Sequence, residues 1–368
     1  MNFKKIALYV LPILAVGFTS CTKDEQSTPP LVIPTAYDAT SYTVNVVGEY
    51  ELRTNFAAFI NEVKKGRVAG TTVTESKLKE LFEAGTNSVS KNTTVALRTE
   101  FLMLFAEIEK ASKGKTYQFG KTPTENINGG VAGGYLFDET GLELEQIIDK
   151  GSFGGVFYNK AIEVLANPTL VNLDKALALY GANPTFPNTP TVKPENPQPD
   201  ILMANYGARR TKGTGGLYTE VRAAFIKAQA AIKAGEKYNA DRDAAIAEIL
   251  IKWEQINAGT VINYLFDVEA RLTTAPATDA SKAAAMHSYG ECVGFLKGFK
   301  GFTKKKITDA QLDDALTKMN NTASYKLIDN QVEIAKLLQI RNSLQAIYGF
   351  TDTQMVEFKN NYVKLENR

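Results

Sequence analysis

NADRDAAIAEILIKWEQINAGTVINYLFDVEARL, the segment from Asn239 to Leu272, decides the fold class of this chain. Its apolar side chains recur at helical spacing, mostly every three or four residues, at Ile246, Leu250, Trp253, Ile256, Val261, Tyr264 and Val268. This spacing puts them on one face of an α-helix. The segment is therefore predicted to be the longest helix of the protein, with a buried face along its whole length.

The same helical spacing recurs on both sides of this segment. Apolar residues follow it within 52–63, 97–108 and 217–232, the last of these ending before Gly235 at the C′ position. Thr74 can cap a further short helix. Thr308-x-x-Gln311 and Thr351-x-x-Gln354 are capping-box signatures that predict the starts of two late helices.

The sequence shows hardly any β-strand pattern. Only Tyr42 to Val46 alternates between apolar and polar residues. Because a parallel α/β fold would need repeated alternation of strands and helices, we predict an all-α fold of about ten helices packed as antiparallel bundles.

Proline and glycine interrupt the helices at two main places. Six of the thirteen prolines lie in NPTFPNTPTVKPENPQP at 183–199, which predicts a surface loop near the middle of the chain. The glycine-rich segment 126–134 follows no predicted strand and precedes no Gly-Lys-Ser/Thr, so a phosphate cradle is disfavoured. The basic runs Lys304–Lys306 and Arg209-Arg210 are predicted to be solvated turns and not anion sites.

The N-terminus resembles a bacterial lipoprotein signal. Lys4 and Lys5 precede thirteen apolar residues, Ile6 to Phe18, too few for a membrane-spanning helix. The run ends at Phe18-Thr19-Ser20-Cys21, which is similar to a lipobox except that phenylalanine replaces the usual leucine. The alternative is an ordinary secretory signal that happens to contain a cysteine. The domain prediction is a signal peptide at 1–20, a flexible tether at 21–35 with lipid on Cys21, and a helical domain at 36–368, either undivided or split into two bundle halves near 183–200.

Lipidation would anchor the protein to a membrane, because two or more acyl chains bind stably. The residues after Cys21, Thr-Lys-Asp-Glu, resemble the export signal that sends lipoproteins of the Bacteroidota to the outer face of the outer membrane. We therefore expect an outer-membrane location facing the exterior, with the periplasmic face as the alternative.

Charge and composition restrict the function further. Lys and Arg number 42 against 40 Asp and Glu, and the signal peptide holds two lysines and no acid, so the mature chain has no net charge. This argues against nucleic acid as a partner. A single histidine excludes zinc sites that need two or more histidines, including His-Glu-x-x-His.

Three segments resemble one family. GYLFDETGLELEQIIDKGSFGGVFYNKA from Gly134, WEQINAGTVINYL from Trp253 and AAMHSYGECVGFLKGF from Ala284 are similar to the Bacteroidota lipoproteins called the domain of unknown function 4856 family. The resemblance extends over nearly the whole mature chain. It implies an all-helical, loosely imelysin-like fold, and imelysins are surface or periplasmic proteins linked to iron uptake.

The chain departs from this family at two polar positions. Where relatives carry His-His-Trp-Asp-Glu, this chain has Val171-Asn-Leu-Asp-Lys175, so that only Asp174 is retained. A Gly-Arg pair of the family is replaced by Ala228-Gln229. The resemblance therefore implies a divergent member that lacks much of the polar site of its relatives.

The candidate metal ligands are His287 and Glu291, four residues apart and so on one face of a helix. They could bind iron or another divalent cation with further carboxylates or water, and Glu254 is a candidate third ligand. The alternative is a structural hydrogen bond between the two side chains. Cys292 is expected to be a buried, inert thiol.

Three functions follow from these features. The first is a non-enzymatic surface lipoprotein that binds a nutrient, iron or haem being the candidates, and cooperates with an outer-membrane receptor. The second is a metal-dependent hydrolase that uses His287 and Glu291. The third is a scaffold or interaction module without a small ligand.

Overall fold

A computed structural model describes residues 28–194, 196–274, 276–302 and 304–368 of the chain. Within it, Leu31–Arg368 form one compact unit. The signal peptide, Cys21 and the first part of the expected tether lie outside the described residues. The tether prediction also covers 28–35, where the backbone carbonyl of Thr35 accepts a hydrogen bond from Arg222.

The predicted all-α class is confirmed. In chain order the helices are α1 (Tyr42–Asn45), α2 (Val47–Lys64), α3 (Glu75–Phe82), α4 (Val89–Asn92), α5 (Val95–Ser112), α6 (Leu144–Ser152), α7 (Asn159–Leu165), α8 (Leu170–Tyr180), α9 (Leu202–Arg210), α10 (Leu217–Ala234), α11 (Asn239–Thr273), α12 (Asp279–Gly298), α13 (Asp309–Met319), α14 (Gln331–Tyr348), α15 (Asp352–Glu357) and α16 (Tyr362–Leu365). Eleven of those described have eight residues or more, close to the ten expected.

The long helix predicted first is α11, and it forms the centre of the molecule. Helices α9, α10, α12 and α14 all pack against it. Trp253, Val261 and Val268 on its apolar face are completely buried. Because α10, α11 and α12 are joined by short connections, neighbouring helices run in opposite directions. Among the described helices, none is long and apolar enough to cross a membrane.

The one predicted strand is wrong. Residues Tyr42–Asn45 form α1, and α2 begins at Val47. Tyr42 and Val46 are both buried, whereas Val44 between them is 80% exposed. A spacing of four between buried side chains fits a helical turn, so the apolar alternation was coincidental, with Val44 facing solvent.

Three short strands occur among the described residues, and the second of them lies in the glycine-rich segment 126–134, which was expected to be irregular. They are β1 (Lys115–Thr116), β2 (Gly130–Ala132) and β3 (Tyr135–Phe137), with β1 parallel to β2 and β2 antiparallel to β3. Gly130 has a φ of 151°, and a Cβ there would lie 1.5 Å from the carbonyl oxygen of Lys115. Glycine is therefore required for this strand pairing.

Helix α12 lies directly against the backbone of α6. Its glycines recur every four residues, at Gly290, Gly294 and Gly298. A Cβ on Gly294 would lie 2.3 Å from the carbonyl oxygen of Gln146, and one on Gly298 would lie 2.5 Å from that of Gly151. We call these three residues the glycine ridge. It permits the close approach that brings the polar side chains of α6 and α12 together.

Both predicted capping boxes are present. The side chain of Thr308 accepts from the amide of Gln311, and the Gln311 side chain accepts from the amide of Thr308. Thr351 and Gln354 form the same pair at the start of α15. Thr74 caps α3 as expected.

The proline-rich segment is a loop, as predicted, and it is fastened to the helices. Phe186 is only 6% exposed. The carboxylate of Asp200, at the end of the loop, accepts hydrogen bonds of 2.8 Å from the amide of Thr189 and from the hydroxyl of Tyr218 on α10. The loop therefore has a fixed path over the surface.

Candidate functional site

His287 lies between two carboxylates. Its Nδ1 is 2.6 Å from Oε2 of Glu143, the residue that precedes α6, and its Nε2 is 3.8 Å from Oε2 of Glu291 on α12. The ring of Tyr135 on β3 stacks on the imidazole at a centroid distance of 4.3 Å. The predicted proximity of His287 and Glu291 is present, but the shorter contact is to Glu143, which the sequence did not identify.

Glu143 and its neighbour Glu145 are also paired with a cation. Nη2 of Arg67, just after α2, is 2.9 Å from Glu143, and its Nε is 2.5 Å from Glu145. The side chains of Glu143 and Glu145 are 0% and 1% exposed. Arg67 therefore pairs with two buried carboxylates at once and balances one of their two charges.

On the far side of His287, the ammonium of Lys150 lies 3.0 Å from Asp149 and 3.3 Å from Glu291. Lys64 is 3.4 Å from Asp149. We call the connected set the ion-pair network, and its members are Lys64, Arg67, Glu143, Glu145, Asp149, Lys150, His287 and Glu291. Four carboxylates face three permanent cations, so the network is neutral when His287 is protonated.

The network changes the pKa values of its members. Burial alone would lower the pKa of His287, but the hydrogen bond to Glu143 and the charges of Glu143 and Glu291 raise it. Burial raises the pKa of Glu145, and the Glu143 carboxylate raises it further, against the attraction of Arg67. Burial would lower the pKa of Lys150, yet Asp149 and other neighbours hold it well above its ordinary value.

The metal hypothesis placed His287 and Glu291 in a coordination shell. Across the described residues, no group of three or more His, Cys, Asp or Glu side chains is arranged to hold a metal ion. Arg67 and Lys150 already pair with Glu143 and Glu291, so a divalent cation would compete with them for these carboxylates. A metal at these residues stays a prediction, and it would have to displace those cations.

Two other residues singled out in the sequence make no contact with His287 that the structure records. The Glu254 carboxylate accepts from the amides of Lys306 and Ile307 and from the Tyr348 hydroxyl, and so holds the loop before α13 in place. Cys292 is buried as expected, and burial raises the pKa of its thiol well above the ordinary value.

Asp174, which matches the family pattern, and Gln229, which departs from it, both hold the N-terminal segment. Asp174 accepts hydrogen bonds from the Tyr37 hydroxyl at 2.7 Å and from the Asn45 amide at 2.8 Å. The Gln229 amide exchanges hydrogen bonds with the backbone of Asp38. Both side chains are therefore used to fix the chain before α2.

The ion-pair network borders an open cleft of about 1100 Å³. Helices α9, α11 and α12 form its walls together with the segment from Lys359 to Lys364, and His287 and Glu291 line it. The side chain of His287 is 21% exposed. The candidate site is therefore accessible from solvent, and polar groups form about half of its surface.

Arg209 and Arg210 also line this cleft, and the prediction that they form a solvated turn is wrong. They end α9, and Arg210 is only 7% exposed. Its Nη1 donates to the carbonyl of Phe358 at 3.0 Å, so the C-terminal segment covers it. The prediction considered only the two charges. Tyr206 and Arg210 are four residues apart, which is a helical spacing.

Comparisons with known proteins add no relative. No family model matches the chain, and the searches of curated proteins and of solved structures found no significant match.

Proposed function

We propose that this protein is a non-enzymatic binding protein that takes a small polar molecule into the cleft between α9, α11, α12 and the C-terminal segment. The observation that carries the proposal is the cleft itself. Its volume of about 1100 Å³ is slightly larger than that of most small-molecule sites, which enclose about 300–1,000 Å³. Its many hydrogen-bonding side chains favour a polar ligand.

The charges of the ion-pair network support binding over catalysis. A general base or a metal ligand needs a carboxylate with a free lone pair directed at the substrate or ion. Glu143 and Glu291 instead face Arg67 and Lys150 at 2.9 and 3.3 Å. The competing hypothesis, a metal-dependent hydrolase, expects an open cleft beside His287, but it also needs these ion pairs to break.

The cellular part of the proposal rests on the sequence. The lipobox-like end of the signal and the Thr-Lys-Asp-Glu that follows Cys21 support a lipoprotein of the outer membrane that faces the exterior. A role in iron or haem uptake, and an outer-membrane receptor as partner, rest on the family resemblance alone. Purified mature protein should then bind iron or haem, and deletion of its gene should slow growth under iron limitation.

The cleft can be tested by filling it. Ala270 is exposed on α11 and lines the cleft, so Ala270→Trp should block it without disturbing the core. We expect compounds from a screen of polar metabolites to raise the melting temperature of the wild-type protein but not that of the variant. Native mass spectrometry would detect a molecule that copurifies.

Ala247→Trp is the matched control. Ala247 is exposed on the same helix but lies outside the cleft lining. It should respond to ligands as the wild-type protein does. The proposal fails if no compound binds and none copurifies, or if Ala270→Trp binds every compound as well as Ala247→Trp.

A further inference from the structure

We propose that the cleft binds an oxyanion, a carboxylate or a phosphate group of its ligand, on the guanidinium of Arg210. This inference rests on the proposed binding function and names the chemistry of the ligand. It starts from a buried cation that the protein itself leaves without a counter-ion.

Arg210 is the first observation. It is only 7% exposed, and its one hydrogen bond among the described residues runs from Nη1 to the Phe358 carbonyl. Its Nε is buried without a partner. Burying a guanidinium without a carboxylate is costly. Burial lowers the pKa of Arg210 to about 10, and an anion bound there would reverse this effect.

Two other buried or half-buried arginines of the chain have acidic partners. Arg341, 3% exposed, pairs with Glu269 at 2.6 Å and donates to the Leu265 carbonyl. Arg67 pairs with two carboxylates. The fold therefore supplies acidic partners for these side chains, and the missing partner at Arg210 points to a ligand.

The acidic residues of the cleft are already used. Asp267 pairs with Arg271 at 2.6 Å, Glu269 pairs with Arg341 at 2.6 Å, and Glu291 pairs with Lys150 at 3.3 Å. None of these carboxylates is thus left to repel an anion. Their charges cancel against neighbouring cations.

The remaining cations of the lining carry the positive charge. Within the described residues, four cations that line the cleft form no ion pair: Arg209, Arg210, Lys359 and Lys364. Arg209 donates to the side-chain oxygen of Asn205, and Lys359 lies over the ring of Phe266. Low dielectric walls strengthen the field of such a cluster. An oxyanion would be attracted into the cleft and held there by Arg210.

The planar guanidinium fits carboxylate and phosphate alike, because each offers two oxygens to two N–H groups. Isothermal titration calorimetry can separate the two sources with inorganic phosphate, glucose 6-phosphate and citrate as probes and glucose as the neutral match. We expect at least one anion to bind saturably and glucose to bind more weakly. Rising ionic strength should weaken anion binding.

Three variants locate the contact. Arg210→Gln should weaken anion binding about tenfold or more, because a charge-assisted pair is lost. Arg210→Lys keeps the charge but not the fork, and should lose most of this affinity as well. Since Arg210 also holds the Phe358 carbonyl, the partly exposed Arg209→Gln serves as a second test that leaves this contact intact, with a smaller loss expected. Circular dichroism would check folding.

Lys212→Gln is the matched control, since Lys212 is exposed two residues from Arg210 but does not line the cleft. Its affinity should equal that of the wild-type protein. The inference is overturned if the three anions bind no better than glucose, or if Arg210 and Arg209 variants bind them as well as Lys212→Gln does. A neutral ligand that Ala270→Trp blocks and Arg210→Gln does not would overturn the inference while the proposed function stands.

Discussion

Arg67 is the residue on which the ion-pair network depends. In Arg67→Gln, the carboxylates of Glu143 and Glu145 would remain buried beside each other without their shared cation. Removing one partner of a buried ion pair costs about 3–5 kcal/mol. Because Arg67 is 24% exposed, we expect a loss near the lower end, about 3 kcal/mol, in the free energy of unfolding measured with urea.

Lys65→Gln provides the comparison at an exposed position. Lys65 pairs with Glu62 at 2.7 Å, but its side chain is 60% exposed. Such surface pairs contribute about 0–1 kcal/mol. Equal losses in the two variants would contradict the role given to Arg67, whereas recovery of stability in the double variant Arg67→Gln, Glu145→Gln would support it.

His287 should make the stability of the protein depend on pH. Its folded pKa is raised, so protonated His287 stabilises the fold fully below the unfolded value of 6.5, and this contribution is lost as the pH rises through the folded pKa. Replacing it by Gln should therefore destabilise the protein more at about pH 6 than at about pH 9. Urea unfolding at both pH values measures the difference.

The charged groups that face His287 are Glu143, Glu291 and Arg67, on three different segments of the chain. Because these groups are present in both proteins, the difference between wild type and His287→Gln reports mainly on the imidazole. An equal loss of stability at both pH values would show that the contacts of His287 do not favour its charged form.

The candidate site was only half predictable at the scale of residues. The contact of His287 with Glu291 follows from a spacing of four on one helix. Glu143 is 144 positions from His287, and Arg67 is on another element again. Such pairs depend on how helices pack, which periodicity within one segment does not determine.

The contact between α6 and α12 depends on the glycine ridge. In Gly294→Ala, the new methyl group would lie 2.3 Å from the carbonyl oxygen of Gln146, so the two helices would have to separate. Overpacking of this kind costs about 3 kcal/mol. We expect this loss in urea unfolding, together with a lower pKa of His287 by NMR because its contact with Glu143 lengthens.

Gly215→Ala controls for the substitution itself. A Cβ at Gly215 meets no atom within 4 Å, and its φ is not positive. Stability should change by less than about 1 kcal/mol. If Gly294→Ala were equally harmless, the close approach of α6 and α12 would not be needed for the fold.

Elements were predicted best where the signal is local. The capping boxes at Thr308 and Thr351 were found because both partners lie within four residues. The strand predicted at Tyr42–Val46 is wrong, because five residues are too few to distinguish the two-residue period of a strand from the helical period. Here the middle apolar residue faces solvent, and only the first and last are buried. Strand β2 was missed since glycines that permit close backbone pairing also signal turns.

At the scale of the whole molecule, the charges nearly cancel in number but are unevenly distributed. Without residues 1–20, which hold two lysines and no acidic residue, the chain has 40 basic and 40 acidic residues. The four unpaired cations that line the cleft within the described residues come from α9 and the C-terminal segment, which are about 150 positions apart. Composition therefore predicts only the net charge of the chain. The positive charge of the cleft arises when folding brings these distant cations together.

The final prediction separates the anchor from the fold. Cys21→Ser should prevent lipidation and release the protein from membranes, because the lipid is the proposed attachment. Labelled palmitate should be incorporated into the wild-type protein only, and fractionation should move the variant to the soluble fraction. Since Leu31–Arg368 form a compact unit by themselves, both proteins should melt at the same temperature.

Palmitate labelling of Cys21→Ser, or its retention in the membrane fraction, would contradict lipidation at Cys21. Protease treatment of intact cells then separates the two locations, since digestion of the wild-type protein requires the exterior face and protection requires the periplasmic one.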